Sequence, residues 1–246
     1  MQLSPHIVLI TGGGSGIGRA LAERFLQAGS EVIICGRRED VLRSAQQRHP
    51  EIHVKTCDIE DEAQRNELAE WAIRTYPKLD VLVNNAGIQR RVRLAKGADW
   101  RDVRQEIAID LDAQIHLSLL FIPHLLEQAH PAIINVTSGL AFVPLASAPI
   151  YCATKAALHS FTLSLRHQLA STPIEVIELI PPAVNTDLGG AGVHAFATPL
   201  DEFVDAAMTQ LAAGAQEITY GFSAQSSRAS RDELRAIFAR MNGAES

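Results

Sequence analysis

Short apolar segments alternate with stretches of helical periodicity along most of the chain, and this alternation limits the fold more than any other feature. The apolar segments of strand length are residues 6–10, 31–35, 52–57, 79–83, 132–137 and 174–180. The segments with helical spacing of apolar residues are 17–28, 39–48, 61–76, 99–127, 151–170 and 200–213. Strands that are apolar on both faces and separated by helices belong to parallel sheets covered on both sides. The pattern predicts an α/β fold, a doubly wound parallel sheet of about seven strands with helices on both faces.

Composition and charge exclude several classes of function. The chain has 22 Lys and Arg against 28 Asp and Glu, a net charge of -6, so it offers no basic field to a nucleic acid. Its three cysteines are scattered and no Cys or His group has metal-ligand spacing, so we expect buried thiols, a reducing compartment and no metal. We find neither a leader sequence nor a long apolar run, and therefore expect a cytoplasmic protein without membrane insertion.

A glycine-rich turn, residues 11–18, lies between the first predicted strand and the first predicted helix. At this position glycines let the backbone approach a pyrophosphate, which free N–H groups and the positive end of the helix then hold. The turn therefore predicts a dinucleotide cofactor. Its predicted cofactor-binding residues are Gly12, Gly14, Ser15, Gly16, Ile17 and Gly18.

The end of the second strand indicates which dinucleotide is bound. An acidic residue there would bind a ribose 2′-hydroxyl and favour NAD(H), but this chain has Arg37 and Arg38 after Gly36. A guanidinium forms charge-assisted hydrogen bonds to a 2′-phosphate. We therefore expect NADP(H) to be preferred over NAD(H), with Arg37 as the main contact. The alternative is that both arginines are solvated charges at the start of a helix.

Three polar residues form a candidate catalytic group. Tyr151 and Lys155 are four residues apart, on one face of a predicted helix, and Ser138 follows a predicted strand thirteen residues before Tyr151. Ser138 would bind a substrate carbonyl while Tyr151 protonates the developing alkoxide. We expect Lys155 and a cationic nicotinamide to lower the pKa of Tyr151 from about 10 towards neutrality.

In combination these motifs resemble the short-chain dehydrogenase/reductase family, in register from residue 6 to about residue 190. The matching residues are the turn 11–18, Asp58, the run 84–87, Ser138, Tyr151 and Lys155. The runs 31–37 and 151–160 are similar to its DltE-like branch, named for an oxidoreductase associated with D-alanylation of teichoic acid. The resemblance implies a single Rossmann-type domain over residues 1–246, with a cofactor half of about 1–137 and a catalytic and substrate half of about 138–246.

The resemblance also implies a role for each matching residue. Asp58, with Ile59 beside it, would hold the adenine, and Tyr151 and Lys155 would bind the nicotinamide ribose as well as acting in catalysis. The remaining cofactor contacts implied are Asn84, Ala86 and Gly87 after the fourth strand, and Val184 and Thr186 at the carboxamide.

Two positions depart from the family pattern. The family usually has Asn on the long helix before Ser138, where this chain has Asp110, and we count Asp110 as a fourth catalytic residue. An ionised Asp only accepts hydrogen bonds, so Asp110 would either weaken a water relay to Lys155 or hold that lysine more firmly charged. The usual Pro-Gly after the sixth strand is Pro181-Pro182, which removes an N–H and a flexible hinge.

The sequence thus predicts an oxidoreductase that moves hydride between NADP(H) and a small-molecule carbonyl or secondary alcohol. Two alternatives stay open: an NADP(H)-binding redox sensor or scaffold with little catalysis, and an epimerase or dehydratase that uses the same site. The basic segment 89–93 would face an anionic substrate, or be an exposed loop or a subunit contact. From the resemblance we also expect a homodimer or homotetramer.

Overall fold

The computed structural model describes residues 1–243, and within them seven strands form one sheet in which all neighbours run parallel. The strands are β1 (Ile7–Thr11), β2 (Glu31–Gly36), β3 (His53–Thr56), β4 (Val81–Asn84), β5 (Ala132–Val136), β6 (Glu175–Ile180) and β7 (Glu217–Thr219). Their order in the sheet is β3-β2-β1-β4-β5-β6-β7. This confirms the predicted doubly wound parallel sheet. The last residues of the predicted domain, 244–246, lie outside the described part of the chain.

Helices cover the two faces of the sheet. They are α1 (Gly16–Gln27), α2 (Glu39–Arg48), α3 (Glu62–Thr75), α4 (Trp100–Ile107), α5 (Ala113–Leu125), α6 (Pro149–Gln168), α7 (Leu200–Ala212), α8 (Phe222–Ser226) and α9 (Arg231–Asn242). Across residues 1–243, none of them combines the length and the apolar character required to cross a lipid bilayer.

Alternate residues of the central strands build a separate core on each face. In β1, Val8 and Ile10 belong to the cluster that includes Phe25 of α1 and Phe203 of α7. Leu9 points the other way, into the cluster formed with α3 and α5. Because the side chains of a strand alternate between faces, a strand buried on both sides is apolar throughout. This explains why continuous apolar runs located the strands.

The long helical segment predicted at 99–127 is one continuous helix with a wide turn inside it. The turn, Ala108–Asp112, has π-helical hydrogen bonds and joins α4 to α5. Such turns insert an extra residue into a helix and are frequent at functional sites. Asp110 lies in this turn and is completely buried. The prediction of one helix over this segment was therefore correct, but it did not include the π-helical turn that positions Asp110.

Sequence analysis missed three elements after residue 213. Strand β7 has three residues at the edge of the sheet, and only Ile218 in it is buried. Helix α9 buries only Ile237, although Leu234, Ile237, Phe238 and Met241 have helical spacing, and α8 has five residues. This spacing, and the capping box that Ser230 and Glu233 form at the start of α9, were the available signals for it.

The order of the strands places a crevice where the chain reverses its direction of winding. Strands β1 and β4 are neighbours in the sheet, although β2 and β3 separate them in sequence. In open α/β sheets, ligands bind at the carboxyl ends of the strands at this reversal point. The turn after β1 and the segment after β4 both emerge there.

Candidate active site

The turn after β1 depends on glycine at specific positions. Gly12 and Gly16 have φ values of +65° and +53°, in the left-handed region that favours glycine. A Cβ on Gly18 would lie 2.6 Å from the carbonyl oxygen of Gly12 and closer still to the amide nitrogen of Asn85. The turn, the start of α1 and the segment after β4 are therefore packed too closely for side chains at these points.

Thr11 and Asn85 fasten this turn to the end of β4. The Thr11 hydroxyl oxygen accepts hydrogen bonds from the backbone N–H groups of Asn85 and Ala86, each at 3.0 Å. The Asn85 side-chain amide donates to the Thr11 carbonyl oxygen at 2.8 Å. Sequence analysis included both residues in motifs but assigned a role to neither. A threonine that directly precedes a glycine-rich turn was the available signal.

The turn fits a dinucleotide phosphate. Helix α1 begins at Gly16 without a hydrogen bond from a capping side chain, although its N-cap residue is Ser15. The first N–H groups of a helix have no partner within the helix, and together with the helix dipole they attract an anion. Arg38 reaches this end of the helix, because its Nη2 donates to the Ser15 hydroxyl at 3.4 Å. Arg37 is exposed beside it.

Asp58, Ile59, Val184 and Thr186, which were also assigned to the cofactor, lie around the same crevice. Asp58 follows β3 and accepts a hydrogen bond from the N–H of Glu60 at 3.1 Å, and Ile59 next to it is buried. The Thr186 methyl group lies 3.5 Å from the position of a Cβ on Gly16, so the segment after β6 crosses the glycine turn. Val184 is buried two residues earlier.

Asn84 differs from its neighbours because its side chain is enclosed within the protein. It has no exposed surface, and its amide nitrogen donates to Asn135 at 2.9 Å and to Ser118 at 3.0 Å. These bonds tie β4 to β5 and α5. The prediction that Asn84 contacts the cofactor stays a prediction, whereas the structural role of its side chain is clear from these bonds.

Ser138, Tyr151 and Lys155 come together at the carboxyl end of β5. Ser138 follows this strand by two residues, and its hydroxyl oxygen accepts the N–H of Leu140 at 3.1 Å. Tyr151 is buried in the first turn of α6, and the Lys155 Nζ lies 5.7 Å from the centre of its ring. Lys155 donates to the carbonyl oxygen of Val136 at 2.9 Å. Two different elements thus hold the group in place.

The surroundings of Tyr151 in the polypeptide favour its protonated phenol. Burial raises the pKa of its phenol well above the ordinary value, and the negative charge of Asp110 raises this pKa further. A hydrogen bond with Ser138 acts in the opposite direction and lowers it. In the polypeptide by itself, desolvation of the phenolate outweighs the stabilisation that neighbouring groups provide. The expected decrease towards neutrality includes the charge of a bound nicotinamide and stays a prediction. The phenol of the polypeptide is protonated at neutral pH.

Asp110 lies beside Lys155 and titrates unusually. Burial raises the pKa of its carboxyl group to about 7, although the positive charge of Lys155 opposes this change. One carboxylate oxygen accepts the N–H of Ile88 at 2.8 Å, and within the described residues the other oxygen has no partner. A Cβ on Gly87 would lie 3.3 Å from Asp110 and 3.7 Å from the Lys155 Nζ. Asp110 therefore contacts the segment after β4 and acts on the lysine by charge.

Pro181 and Pro182 also bear on the site. The Pro181 carbonyl oxygen accepts the N–H of Gly139, the residue after Ser138, at 2.8 Å. This bond ties the loop that carries Ser138 to the end of β6. Pro182, in place of the glycine of the family pattern, has a fixed φ and no N–H, so it stiffens the chain between β6 and the segment that crosses the glycine turn.

Sequence analysis missed a buried acidic residue behind the catalytic group. Glu178 of β6 is completely buried and accepts hydrogen bonds from Thr137 at 2.7 Å and from His159 at 2.9 Å. His159 lies one helical turn after Lys155, and its ring packs edge-on against Phe142. A charged residue within an apolar strand was the available signal, since a buried carboxylate requires partners.

Comparison with known proteins agrees with this geometry. The family described as short chain dehydrogenase matches residues 6–194. The chain is 48% identical, over the full length of both proteins, to a protein of Bacillus subtilis named as the uncharacterized oxidoreductase DltE.

Solved structures agree as well. A short-chain dehydrogenase of Burkholderia cenocepacia, in complex with NADP, superposes with a TM-score of 0.85 over 98% of this chain and 99% of its own, at 27% identity. A 3-ketoacyl-(acyl-carrier-protein) reductase of Brucella melitensis, complexed with NADH, superposes with a TM-score of 0.81 over 90% of this chain and 100% of its own, also at 27% identity. The sequence match, the fold and the relatives agree: this chain belongs to the short-chain dehydrogenase/reductase family of oxidoreductases.

Proposed function

We propose that this protein is an NADP(H)-dependent oxidoreductase that transfers hydride between the nicotinamide and a carbonyl or secondary alcohol. The observation that carries this proposal is the convergence of Ser138, Tyr151 and Lys155 at the carboxyl end of β5. The glycine turn and the segment after β4 open into the same crevice, and they fit the phosphates of a dinucleotide. When bound, the cofactor supplies the hydride and, in its oxidised form, a positive charge near the phenol.

In the direction of reduction, the Ser138 hydroxyl donates a hydrogen bond to the substrate oxygen and fixes the carbonyl. Tyr151 then gives its proton to the oxygen as negative charge develops there. Burial keeps the phenol protonated before the reaction, and the positive charge of an oxidised nicotinamide would lower its pKa towards the value that proton transfer requires. Lys155 lies close enough to stabilise the phenolate that remains, and the Val136 carbonyl holds the lysine in position.

The cofactor preference in this proposal rests on Arg37 and Arg38. Both guanidinium groups are exposed directly after β2, and Arg38 reaches Ser15 at the start of α1. They supply positive charge at the place where the 2′-phosphate of NADP(H) would distinguish it from NAD(H). The Burkholderia structure was solved with NADP and the Brucella structure with NADH, so the preference of this chain requires its own measurement.

The activity is tested by NADPH oxidation with a panel of aldehydes and ketones. Tyr151→Phe removes the proton donor and is expected to lower kcat/KM by about a thousandfold or more, within the range for loss of acid catalysis. Tyr76→Phe is the matched control, since Tyr76 ends α3 far along the chain from this group. Equal turnover by wild type and Tyr151→Phe would refute the mechanism.

Two other results separate the alternative functions. Tight NADPH binding without turnover of any carbonyl would favour a redox sensor or scaffold. Conversion of a substrate without net change in NADPH would favour an epimerase or dehydratase.

The cofactor preference is tested by titrating NADPH and NADH into the arginine variants. Arg37→Ala and Arg38→Ala should each weaken NADPH binding by about tenfold or more and change NADH binding little, because only NADPH offers the phosphate. Arg48→Ala removes the same charge at the far end of α2 and serves as the control. Equal losses for both cofactors would reject the phosphate contact.

We also propose that the protein forms a homodimer or homotetramer in the cytoplasm. The proposal rests on the family resemblance, and Leu119 of α5 and Leu163 of α6, which are 57% and 42% exposed, are available to such a contact. The three cysteines are free and buried, which suits a reducing compartment. Sedimentation of wild type and of Leu119→Glu tests the assembly, and a monomeric wild type would refute it.

A further inference from the structure

A cavity of about 570 Å³ opens between the segment after β4 and the segment after β6. It is lined by Gln89, Arg90, Arg91, Gly189 and Val193. Its volume is within the range of pockets for small ligands. None of the five residues belongs to the catalytic group or to the proposed cofactor contacts, so the cavity is available to another part of a substrate.

Both walls of the cavity begin beside the catalytic group. Leu188 packs on the cluster formed by Ala148, Tyr151 and Cys152, and Gly189 is the next residue. The other wall follows Gly87, where a Cβ would be 3.7 Å from the Lys155 Nζ. A molecule that places one end at Tyr151 can therefore extend its other end into the cavity.

Backbone hydrogen bonds hold the arginine-rich wall in an extended conformation. The N–H groups of Ile88, Arg90 and Val92 donate to Asp110 at 2.8 Å, to Glu106 at 3.0 Å and to Ser147 at 2.8 Å. Bonds at every second residue are those of an extended chain, in which alternate side chains share a face. Gln89 and Arg91 accordingly lie on one face, on a support that is fixed before any ligand arrives.

The two arginines of this wall differ in their partners. The Arg90 guanidinium donates to the Asp102 carbonyl and to Gln105, and it forms an ion pair with the Asp102 carboxylate at 3.7 Å. Arg91 is exposed, and its side chain takes part in none of the ion pairs or hydrogen bonds found among residues 1–243. A guanidinium without a partner, on a fixed wall of a cavity, is suited to bind an oxyanion from solution.

The positive charge of Arg91 acts on a residue next to the opposite wall of the cavity. His194 follows Val193, and its pKa is lowered, first by burial and then by the positive charge of Arg91. The ring nitrogen Nδ1 of His194 is buried and has no hydrogen-bond partner within the described part of the chain. Arg91 thus lies near enough to the segment after β6 for its charge to act on His194.

We propose that Arg91 binds an anionic group of the substrate, a carboxylate or a phosphate, in this cavity while the reacting carbonyl lies at Ser138 and Tyr151. This specificity rests on the proposed oxidoreductase function and names its substrate class. The chain as a whole carries a charge of -6, so an anion would be repelled elsewhere and the local positive charge directs it to this opening.

The test compares carbonyl substrates that differ in one end group: succinic semialdehyde with its methyl ester, and glyceraldehyde phosphate with glyceraldehyde. Wild type should prefer the anionic member of at least one pair by about tenfold or more in kcat/KM, mainly through KM. The pair that shows the preference distinguishes carboxylate from phosphate. Arg91→Gln should remove most of this preference, and Arg91→Lys should restore part of it. Arg93→Gln, an exposed arginine of the same segment that does not line the cavity, should retain it.

Calorimetric titration of succinate and glycerol phosphate into wild type and Arg91→Gln gives a readout that does not depend on turnover. Binding that Arg91→Gln loses supports the anion site even where no carbonyl in the panel is reduced, and only the oxidoreductase proposal then fails. Turnover that ignores the end group, or anion binding that Arg91→Gln keeps, overturns the anion site and leaves the oxidoreductase proposal standing. Failure of both anions to bind overturns the site as well.

Discussion

The substitution Asp110→Asn should change how the stability of the protein depends on pH. The Asp110 carboxyl is completely buried, and its pKa is about 7 in the folded protein against an ordinary value of 3.8. The folded state therefore holds this proton more tightly than the unfolded state does. Ionisation of Asp110 therefore destabilises the folded protein. This cost is absent below pH 3.8, grows as the pH rises and reaches its full value above about pH 7. The full cost is about 4 kcal/mol, since each unit of pKa difference corresponds to about 1.4 kcal/mol.

Asparagine has nearly the shape of aspartate and does not titrate. Its side-chain oxygen can still accept the N–H of Ile88, which now donates to Asp110 at 2.8 Å. The variant therefore avoids the cost that the wild type has at high pH. Relative to wild type, its free energy of unfolding should increase by about 2–3 kcal/mol between pH 5 and pH 7.5.

The assay is urea unfolding of both proteins at these two pH values, with linear extrapolation to water. Asp112→Asn is the matched control, because Asp112 is exposed in the same π-helical turn and its replacement should leave the pH dependence as in wild type. A stability difference between Asp110→Asn and wild type that is equal at both pH values would refute the raised pKa and the argument built on it.

Two further predictions concern residues around the site. Gly18→Ala should destabilise the protein by about 1–3 kcal/mol, because its Cβ meets backbone, whereas Gly36→Ala, with its nearest atom at 3.7 Å, should cost little in the same urea assay. The hydrogen bond to Glu178 raises the pKa of His159 above 6.5, so their pairing stabilises the protein fully below that pH and less as the pH rises through the folded-state pKa. His159→Gln should therefore lower the melting temperature more at pH 5.5 than at pH 8.5, and an equal decrease would contradict this pairing.

The sequence was sufficient to predict the fold because the elements that build the core have periodic apolar residues. Strand β1 and helix α1 supply side chains to large buried clusters, and such elements leave a regular pattern. Strand β7 has three residues, one of them buried, and leaves almost none, whereas helix α9 was missed although its apolar residues have helical spacing. The observed ends of most elements differ from the predicted ends by one or two residues. Hydrogen bonds and caps define these ends, and apolar spacing does not reveal them.

The sequence predicted which residues meet at the candidate site, but it did not predict their pKa values. Parallel strands end at one edge of the sheet, so residues that follow β1, β4 and β5 must meet there whatever the loops between them do. The protonation state of Tyr151 could not be obtained in this way. Its pKa depends on how completely the phenol is enclosed and on the charge of Asp110, which lies about forty residues earlier in the chain. Spacing of four residues brought Lys155 near the phenol but did not reveal which effect is larger.

Asp110 links the wall of the Arg91 cavity to Tyr151 and Lys155. Its carboxylate accepts the N–H of Ile88, where the wall of the Arg91 cavity begins, and its charge acts on both Tyr151 and Lys155. An asparagine could make the first contact but not exert the second effect. Because the pKa of Asp110 is about 7, the charge beside Lys155 changes with pH while the loop remains bonded in either protonation state. The acidic residue at this position therefore places a charge that varies with pH beside Tyr151 and Lys155, while its hydrogen bond to the cavity wall is kept.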